Sequence, residues 1–246
     1  MTSTTHSLLI CIDDTDDIGT KGTGEIAQEI ALLLSEGQLS RCAFVTRHQL
    51  YVHPDIPYTS HNSAMCFQVR TRFTLLQAKA IAITHLTQQM ASASDPGLAL
   101  LDLHNDYDEA ALIEFGLAAK KMVKTKAQAY QLAQQAGVDL SEHGGSGDGV
   151  IGAIAGIGLR LFGDDGRVKG QLLSKQSGQI YSAAQLIEMT GADRVIDLQD
   201  NVVGLSELIM VTGNLKAVFR QHQNSILVTP KAGQWINADK QQLKSY

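Results

Sequence analysis

The sequence has few of the residues that mark disulfide-rich, zinc-binding or membrane-spanning proteins. Its 246 residues include three cysteines, Cys11, Cys42 and Cys66, and no Cys-x-x-Cys pair. We therefore expect buried thiols rather than a disulfide framework or a zinc ribbon. The apolar stretch Val150–Leu161 is interrupted by glycines and is shorter than a membrane span. We predict no transmembrane helix and no secretion signal, which makes the cytoplasm the expected location.

Basic residues are also in short supply. The chain carries 20 Lys and Arg against 25 Asp and Glu, a net charge of −5. The concentrated basic residues are Lys120, Lys121, Lys124 and Lys126, which on a helix would form a solvated face. If the protein binds nucleic acid, a local basic patch rather than the whole surface would have to contact it. We therefore expect a nucleotide and a small-molecule acceptor as partners, and tRNA binding that is not tight.

Apolar periodicity predicts a mixed α/β and α+β fold. A buried strand is expected from Ser7 to Ile12, ending near Asp13, with a helix over Glu25–Leu34. Further along the chain the predicted elements are strands over 41–47, 62–72 and 98–103, helices over 75–90, 107–135 and 150–161, and short strands with one helix near 183–189. The helix over 107–135 is expected to break near Lys124-Thr125.

Acidic residues, in contrast, are concentrated directly after the first predicted strand. Asp13, Asp14 and Asp16 are candidate Mg²⁺ ligands, because carboxylates in a row repel one another unless a cation is present. The glycines that follow would let the backbone approach phosphate oxygens before a helix N-terminus. The candidate nucleotide contacts in this segment are Thr15, Lys21, Gly22 and Gly24. The alternative interpretation is a solvated acidic turn, with Lys21 merely solvated.

A second glycine-rich segment covers 144–149, about 120 residues further along the chain. Gly145, Gly147 and Gly149 would cradle phosphates opposite the acidic loop, while Asp148 would bind metal or cap the next helix. An ordinary mobile linker is the alternative. The first segment is not a Walker A loop, since Lys21-Gly22-Thr23 lacks the Gly-Lys-Ser/Thr order.

Three motifs in order resemble the N-terminal kinase domain of archaeal tRNA-Ile agmatinylcytidine synthetase. The first is Ile12-Asp13-Asp14-Thr15-Asp16 with Thr23 seven residues later. The second, 47–64, resembles that family's Arg-x-Asn-Pro…Pro-Trp-Lys-Thr-Arg-Gly-Asn segment, and the third, 147–153, its Gly-x-Gly-hydrophobic-Ile-Gly-Ala loop. The resemblance implies ATP and Mg²⁺ as cofactors and catalytic roles for Asp14, Asp16 and Thr23. Arg47 and His61 would contact phosphate or give the cleft a polar lining.

The order of predicted elements, together with this resemblance over roughly residues 7 to 165, predicts a domain division. Residues 1–61 and 140–170 would form a nucleotide-binding kinase-like unit, 62–139 an inserted ferredoxin-like unit, and 171–246 a small C-terminal α/β element. The chain departs from the family at Gly24, Thr59 and His61, where the family has a hydroxyl residue, Lys and Arg. We expect neither its OB-fold nor its zinc ribbon, and so predict kinase-unit chemistry on an unidentified acceptor.

Two further function classes stay open. Asp14-Thr15-Asp16 after an apolar strand resembles the Asp-x-Asp of haloacid-dehalogenase-type phosphatases, with Asp164 and Asp165 as a later metal-binding pair. Ile18, where Thr or Val is usual, and the glycine loops count against a phosphohydrolase. A catalytically silent nucleotide-binding or RNA-binding regulatory protein would use the same loops.

Overall fold

The first strand, β1 (His6–Asp13), is buried along both faces and organises the N-terminal part of the protein. In this computed structural model residues 5–37, 44–56, 62–170 and 172–246 are described. The chain divides into two compact units, Met1–Phe162 and Gly163–Tyr246. Both combine helices and strands, so the expected mixed α/β and α+β class is confirmed.

The first unit alternates helices and strands. Its elements are β1 (His6–Asp13), α1 (Thr23–Leu34), β2 (Thr46–Gln49), β3 (Ser63–Thr71), α2 (Leu75–Gln89), β4 (Gly97–Asp102), α3 (Glu109–Ala119), α4 (Lys126–Ala136), β5 (Asp139–Glu142) and α5 (Gly149–Phe162). The strands form an antiparallel sheet in the order β5-β4-β1-β3-β2.

Two hydrophobic cores cover the two faces of this sheet. Leu8, Ile10 and Ile12 of β1 pack with α1 and α2 on one face. Leu9 and Cys11 pack with α3, α4 and α5 on the other. Because successive strand side chains point to opposite faces, a strand between two helical layers must be apolar at almost every position. This explains the continuous aliphatic run that ends abruptly at Asp13.

Most predicted elements of this unit agree with the structure within a few residues, including the helix break, which falls between α3 and α4. The basic stretch differs from expectation. Lys120, Lys121 and Lys124 lie in the connection between α3 and α4 rather than on one helix, and Lys126 begins α4. β5 was not predicted, because its four residues are too few to show a period. Cys42 and the proline-loop residues 57–61, including Thr59 and His61, lie outside the described residues.

The segment 62–139, predicted to be an inserted unit, contributes strands to the sheet that contains β1. Strands β3 and β4, both in the segment 62–139, flank β1 on either side. That segment therefore shares a sheet and both cores with residues 6–34 and lies within one compact unit. The physical reason is that β1 alone cannot satisfy its backbone hydrogen bonds, and its two neighbours come from later sequence. The names kinase-like and ferredoxin-like for parts of the chain remain predictions.

The second unit, Gly163–Tyr246, contains more strands than we expected in the small C-terminal element over 171–246. Its elements are β6 (Arg167–Val168), β7 (Leu173–Ser182), α6 (Ala183–Thr190), β8 (Arg194–Ile196), β9 (Leu208–Leu215), β10 (Ala217–Arg220), β11 (Gln223–Lys231), β12 (Gln234–Asn237) and a short 3-10 helix, Gln242–Ser245. The strand order is β6-β10-β11-β12-β9-β7, with β8 beside β11. In the described part of the chain, no helix combines the length and apolarity needed to cross a membrane.

Candidate functional site

The acidic loop (residues 13–17) leaves β1 at the edge of the sheet. Asp13 ends the strand opposite Gly97 of β4 and is buried. Its Oδ1 accepts a hydrogen bond of 2.9 Å from the Asp14 backbone N–H. Asp14 has φ 54°, in the left-handed region where Asp and Asn are the tolerated non-glycine residues.

Asp13 and Asp14 lie in an environment that disfavours negative charge. Burial, followed by the charge of Asp14, raises the pKa of Asp13 to about 8. Burial also raises the pKa of Asp14 to about 6, with added repulsion from Asp95, Asp16 and Asp148. Proteins place such like charges together at sites where a cation or a proton compensates them. The loop is therefore built to attract a cation.

Asp16 connects the acidic loop to the first turn of α1. Its Oδ1 accepts a hydrogen bond of 3.0 Å from the buried Thr23 hydroxyl. Gly22 is the N-cap residue of α1 and makes no side-chain cap bond, while Gly24 is buried in the first turn. Because the N-terminal N–H groups of a helix lack intrahelical partners, the start of α1 is available to an anion.

Lys21 is engaged with neighbouring helices. Its Nζ donates to Glu29 at 2.7 Å and to Gln89 at 2.6 Å, and His85 Nε2 lies 2.7 Å from the other Glu29 oxygen. This ion pair holds the ammonium beside the middle of α1 and leaves it partly exposed. A phosphate contact by Lys21 would compete with Glu29.

The glycine loop (residues 144–149) packs beside the acidic loop, as expected from sequence. A Cβ built on Gly149 would lie 2.2 Å from the Asp95 carbonyl oxygen and 3.1 Å from that of Asp13. A Cβ on Gly152, in the next helical turn, would lie 1.6 Å from Asp13 Oδ2. The start of α5 is therefore pressed against the end of β1, and no larger residue fits at either position.

The structure explains why glycine is needed at positions 145 and 147, and the explanation differs from the phosphate contact expected from the sequence. Both have positive φ, 50° and 75°, which other residues rarely adopt. A Cβ on Gly145 would overlap the Asp95 carboxylate, and one on Gly147 the Glu142 carboxylate. These glycines admit neighbouring side chains, so backbone approach to a phosphate is not needed to explain them.

The backbone of Arg47, a predicted phosphate contact, lies apart from the two loops. Arg47 lies opposite Met65, which in turn lies opposite Ile12, so its backbone is two strands away from the end of β1. Its Nε donates to Ser63 Oγ at 3.0 Å.

Thr15 is fully buried, and its hydroxyl has no hydrogen-bond partner among the described residues. Such an unsatisfied buried group costs about 1–3 kcal/mol and occurs mainly where function requires it.

The donor set of the acidic loop fits Mg²⁺ bound together with a nucleotide. Among the residues that the structure describes, no three His, Cys, Asp or Glu side chains are grouped so that they could hold a metal by themselves. Mg²⁺ in nucleotide sites is commonly held by one or two carboxylates together with substrate phosphates, rather than by a protein cage. Of the three candidates, Asp14 and Asp16 are partly exposed, whereas Asp13 packs against α5.

Asp95 and Gly152 were not singled out from the sequence as site residues. Asp95 precedes a proline and a glycine, a combination typical of a turn, so local reasoning gave it no other role. Gly152 lies inside a helix with many small residues. Their significance arises only from contacts with residues more than 50 positions away in sequence.

No protein-family model and no curated protein matches this sequence. Solved structures do. A tRNA fluorescent labeling enzyme aligns with 62% of the chain at 23% identity and a TM-score of 0.52. The complex of TiaS with an isoleucine tRNA, AMPCPP and agmatine aligns with 62% at 21% identity, also with a TM-score of 0.52. The complex of TiaS with the same tRNA and ATP aligns with 80% at 19% identity and a TM-score of 0.50.

TiaS is a tRNA-Ile agmatidine synthetase, so these neighbours have the fold of the family that the sequence motifs resemble. The likeness confirms that resemblance at the level of fold. The chain spans 36%, 36% and 49% of the lengths of these three structures.

Proposed function

We propose that this protein is a Mg²⁺-dependent, ATP-binding phosphotransferase or ligase-like enzyme that acts on a small polar acceptor. One observation carries the proposal: the acidic loop, the start of α1 and the start of α5 adjoin one another at one edge of the sheet. Two helix N-termini favour the phosphate groups, and the carboxylates favour the cation that accompanies them.

Each residue has a role that its contacts support. Asp14 and Asp16 would hold Mg²⁺, which when bound neutralises triphosphate charge. Asp16 accepts the Thr23 hydrogen bond and so fixes the hydroxyl at the start of α1, toward the phosphates. Asp13 is buried against α5 and would act mainly by positioning Asp14, whose N–H it accepts. Catalysis of this kind consists of positioning and charge neutralisation.

The similar solved structures support ATP as the nucleotide. TiaS has been captured with ATP and with the ATP analogue AMPCPP, together with an isoleucine tRNA and, in one case, agmatine. Because the chain corresponds to half or less of those proteins, we do not transfer their acceptor to it. The small acceptor remains our proposal.

The alternatives make different use of the same loops. A haloacid-dehalogenase-like phosphohydrolase would need Asp164 and Asp165 as metal ligands. However, Asp164 Oδ1 accepts a hydrogen bond of 2.7 Å from the Gln221 backbone within the second unit. A silent nucleotide-binding or RNA-binding regulatory protein would bind ATP without turnover.

Incubation with Mg²⁺ and γ-labelled ATP separates these functions. We expect label to leave ATP in a Mg²⁺-dependent manner, faster when a pool of small polar amines and alcohols is supplied, and turnover to stop with EDTA. Release of phosphate from phosphomonoesters without ATP would favour the phosphohydrolase. ATP binding with no turnover under any acceptor would favour the regulatory protein and contradict the proposal.

Weak binding of tRNA is a separate prediction. The net charge is −5, and Lys126 of the basic stretch is paired with Glu142, so the chain as a whole does not attract tRNA phosphates. We expect micromolar or weaker affinity at physiological salt, with a shallow dependence on salt concentration. Filter binding or fluorescence anisotropy across a salt series would measure this. Submicromolar binding with a steep salt slope would contradict it.

A further inference from the structure

Asp95 ties the glycine loop to the sheet, although no sequence motif assigned it a role. It lies in the connection between α2 and β4, two residues before Gly97, which pairs with Asp13. Its carboxylate accepts hydrogen bonds from Ser146 N (2.6 Å) and Ser146 Oγ (2.7 Å). Its backbone carbonyl accepts a third, of 3.1 Å, from Gly149 N. One residue therefore holds both ends of the segment 146–149.

The glycines on either side of these bonds are explained by the same residue. A Cβ on Gly145 would lie 1.3 Å from Asp95 Oδ1, and a Cβ on Gly149 would lie 2.2 Å from the Asp95 carbonyl oxygen. The loop is thus shaped to close around Asp95. Both carboxylate oxygens are hydrogen-bonded to Ser146, so the side chain holds this loop directly.

A second contact holds the loop from the solvent side. Lys126 Nζ donates to the Ser146 carbonyl oxygen at 2.7 Å and to Glu142 Oε2 at 2.6 Å. This contact is exposed, and solvent screening weakens exposed ion pairs. Asp95, which is only partly exposed and makes charge-assisted bonds, is expected to dominate the loop geometry.

We propose that Asp95 is a positioning residue, which fixes the segment 146–149 and, with it, the start of α5, so that the positive end of this helix faces the nucleotide phosphates. This inference rests on the proposed ATP site. A loop held in its binding geometry before the ligand arrives does not pay for ordering on binding. Asp95 would therefore act on ATP affinity through Ser146, without touching the nucleotide.

The test compares Asp95→Ala and Asp95→Asn. Asparagine keeps both bonds to Ser146, because its carbonyl accepts the N–H and its amide donates to the hydroxyl oxygen. Alanine removes both. By calorimetry with Mg²⁺ and a non-hydrolysable ATP analogue, we expect Asp95→Ala to bind on the order of tenfold more weakly than wild type. Asp95→Asn should bind within about twofold of wild type. Ser146→Ala loses the hydroxyl bond to Asp95 and the acceptor of the Asp148 N–H but keeps its own N–H bond to Asp95, and should fall between them.

A double variant and a ligand-free readout separate positioning from general destabilisation. If Asp95 acts through Ser146, the Asp95→Ala and Ser146→Ala effects will not add, because they break the same contact. Hydrogen exchange of the 146–149 amides without nucleotide should accelerate in Asp95→Ala and not in Asp95→Asn. Lys126→Met is the matched control on the solvent side of Ser146, with little change expected in either measurement.

The outcomes that overturn the inference are distinct from failure of the proposed function. Equal affinity of Asp95→Ala and wild type would refute positioning. Equal weakness of Asp95→Asn and Asp95→Ala would show that the charge acts directly, for example on the metal, and would also refute it. No binding of the Mg²⁺–nucleotide by the wild-type protein would overturn the proposed function itself, and the positioning role with it.

Discussion

Replacement of Asp14 by asparagine is expected to lower ATP turnover on the order of 100-fold and to leave the protein as stable as wild type or more stable. The loss follows because the triphosphate charge would lack one of its cation-holding carboxylates. In binding experiments the same variant should lose most of the Mg²⁺-dependent part of its ATP affinity, so that adding EDTA changes its affinity less than it changes that of wild type.

The substitution suits this position structurally. Asp14 has φ 54°, and asparagine adopts left-handed backbone conformations as readily as aspartate. The pKa of Asp14 is raised to about 6 by burial and by Asp95, Asp16 and Asp148. A carboxylate whose pKa is raised in the folded state destabilises that state once pH exceeds the unfolded value. A neutral side chain removes this repulsion at pH 7.

Asp17→Asn is the matched control. Asp17 belongs to the same loop but is exposed, and its Oδ1 accepts a bond from the Ile18 N–H that asparagine can keep. Turnover, ATP affinity with and without EDTA, and melting temperature should be measured for both variants. Near-normal turnover in Asp14→Asn, or an equal loss in Asp17→Asn, would contradict the assigned role.

The second large effect concerns the fold around the site. Gly149→Ala is expected to lower the free energy of unfolding by about 3 kcal/mol or more, with a fall in melting temperature on the order of 10 °C. The new Cβ would lie 2.2 Å from the Asp95 carbonyl oxygen and 2.6 Å from Gly97 N, both backbone atoms that cannot move aside. A Cβ on Gly97 would meet Gly149 at 2.1 Å, so Gly97→Ala should be as damaging.

Gly22→Ala is the contrasting variant. The nearest atom to its new Cβ is Asp16 Oδ2 at 3.7 Å, an ordinary contact, and its φ is −72°. Its melting temperature should change little, so any loss of ATP affinity would report on backbone approach to the phosphates. Loss of turnover in Gly149 variants, in contrast, would reflect folding. Thermal melts and ATP titrations of the three variants measure this, and a Gly149→Ala protein as stable as wild type would refute the packing argument.

Local sequence patterns predicted most elements that depend on local physics. The aliphatic run of β1, the apolar spacing of α1 and the helix break between α3 and α4 follow from neighbouring residues alone. The position of the acidic loop after a buried strand and of the glycine loop before a helix was equally readable. The strand β5 was missed, since its pairing partner, β4, and not its own sequence, makes it a strand.

What the sequence determined by itself is therefore the kind of chemistry available: carboxylates and glycines at the ends of apolar elements, and a resemblance in motifs that the fold of solved structures matches. Only the tertiary structure decided which of these residues meet. In the folded protein β3 and β4 flank β1, Asp13 packs against Gly152, and Asp95 accepts a hydrogen bond from Ser146. Strand order and close packing depend on contacts between residues far apart in sequence, which leave no periodic signal in either segment.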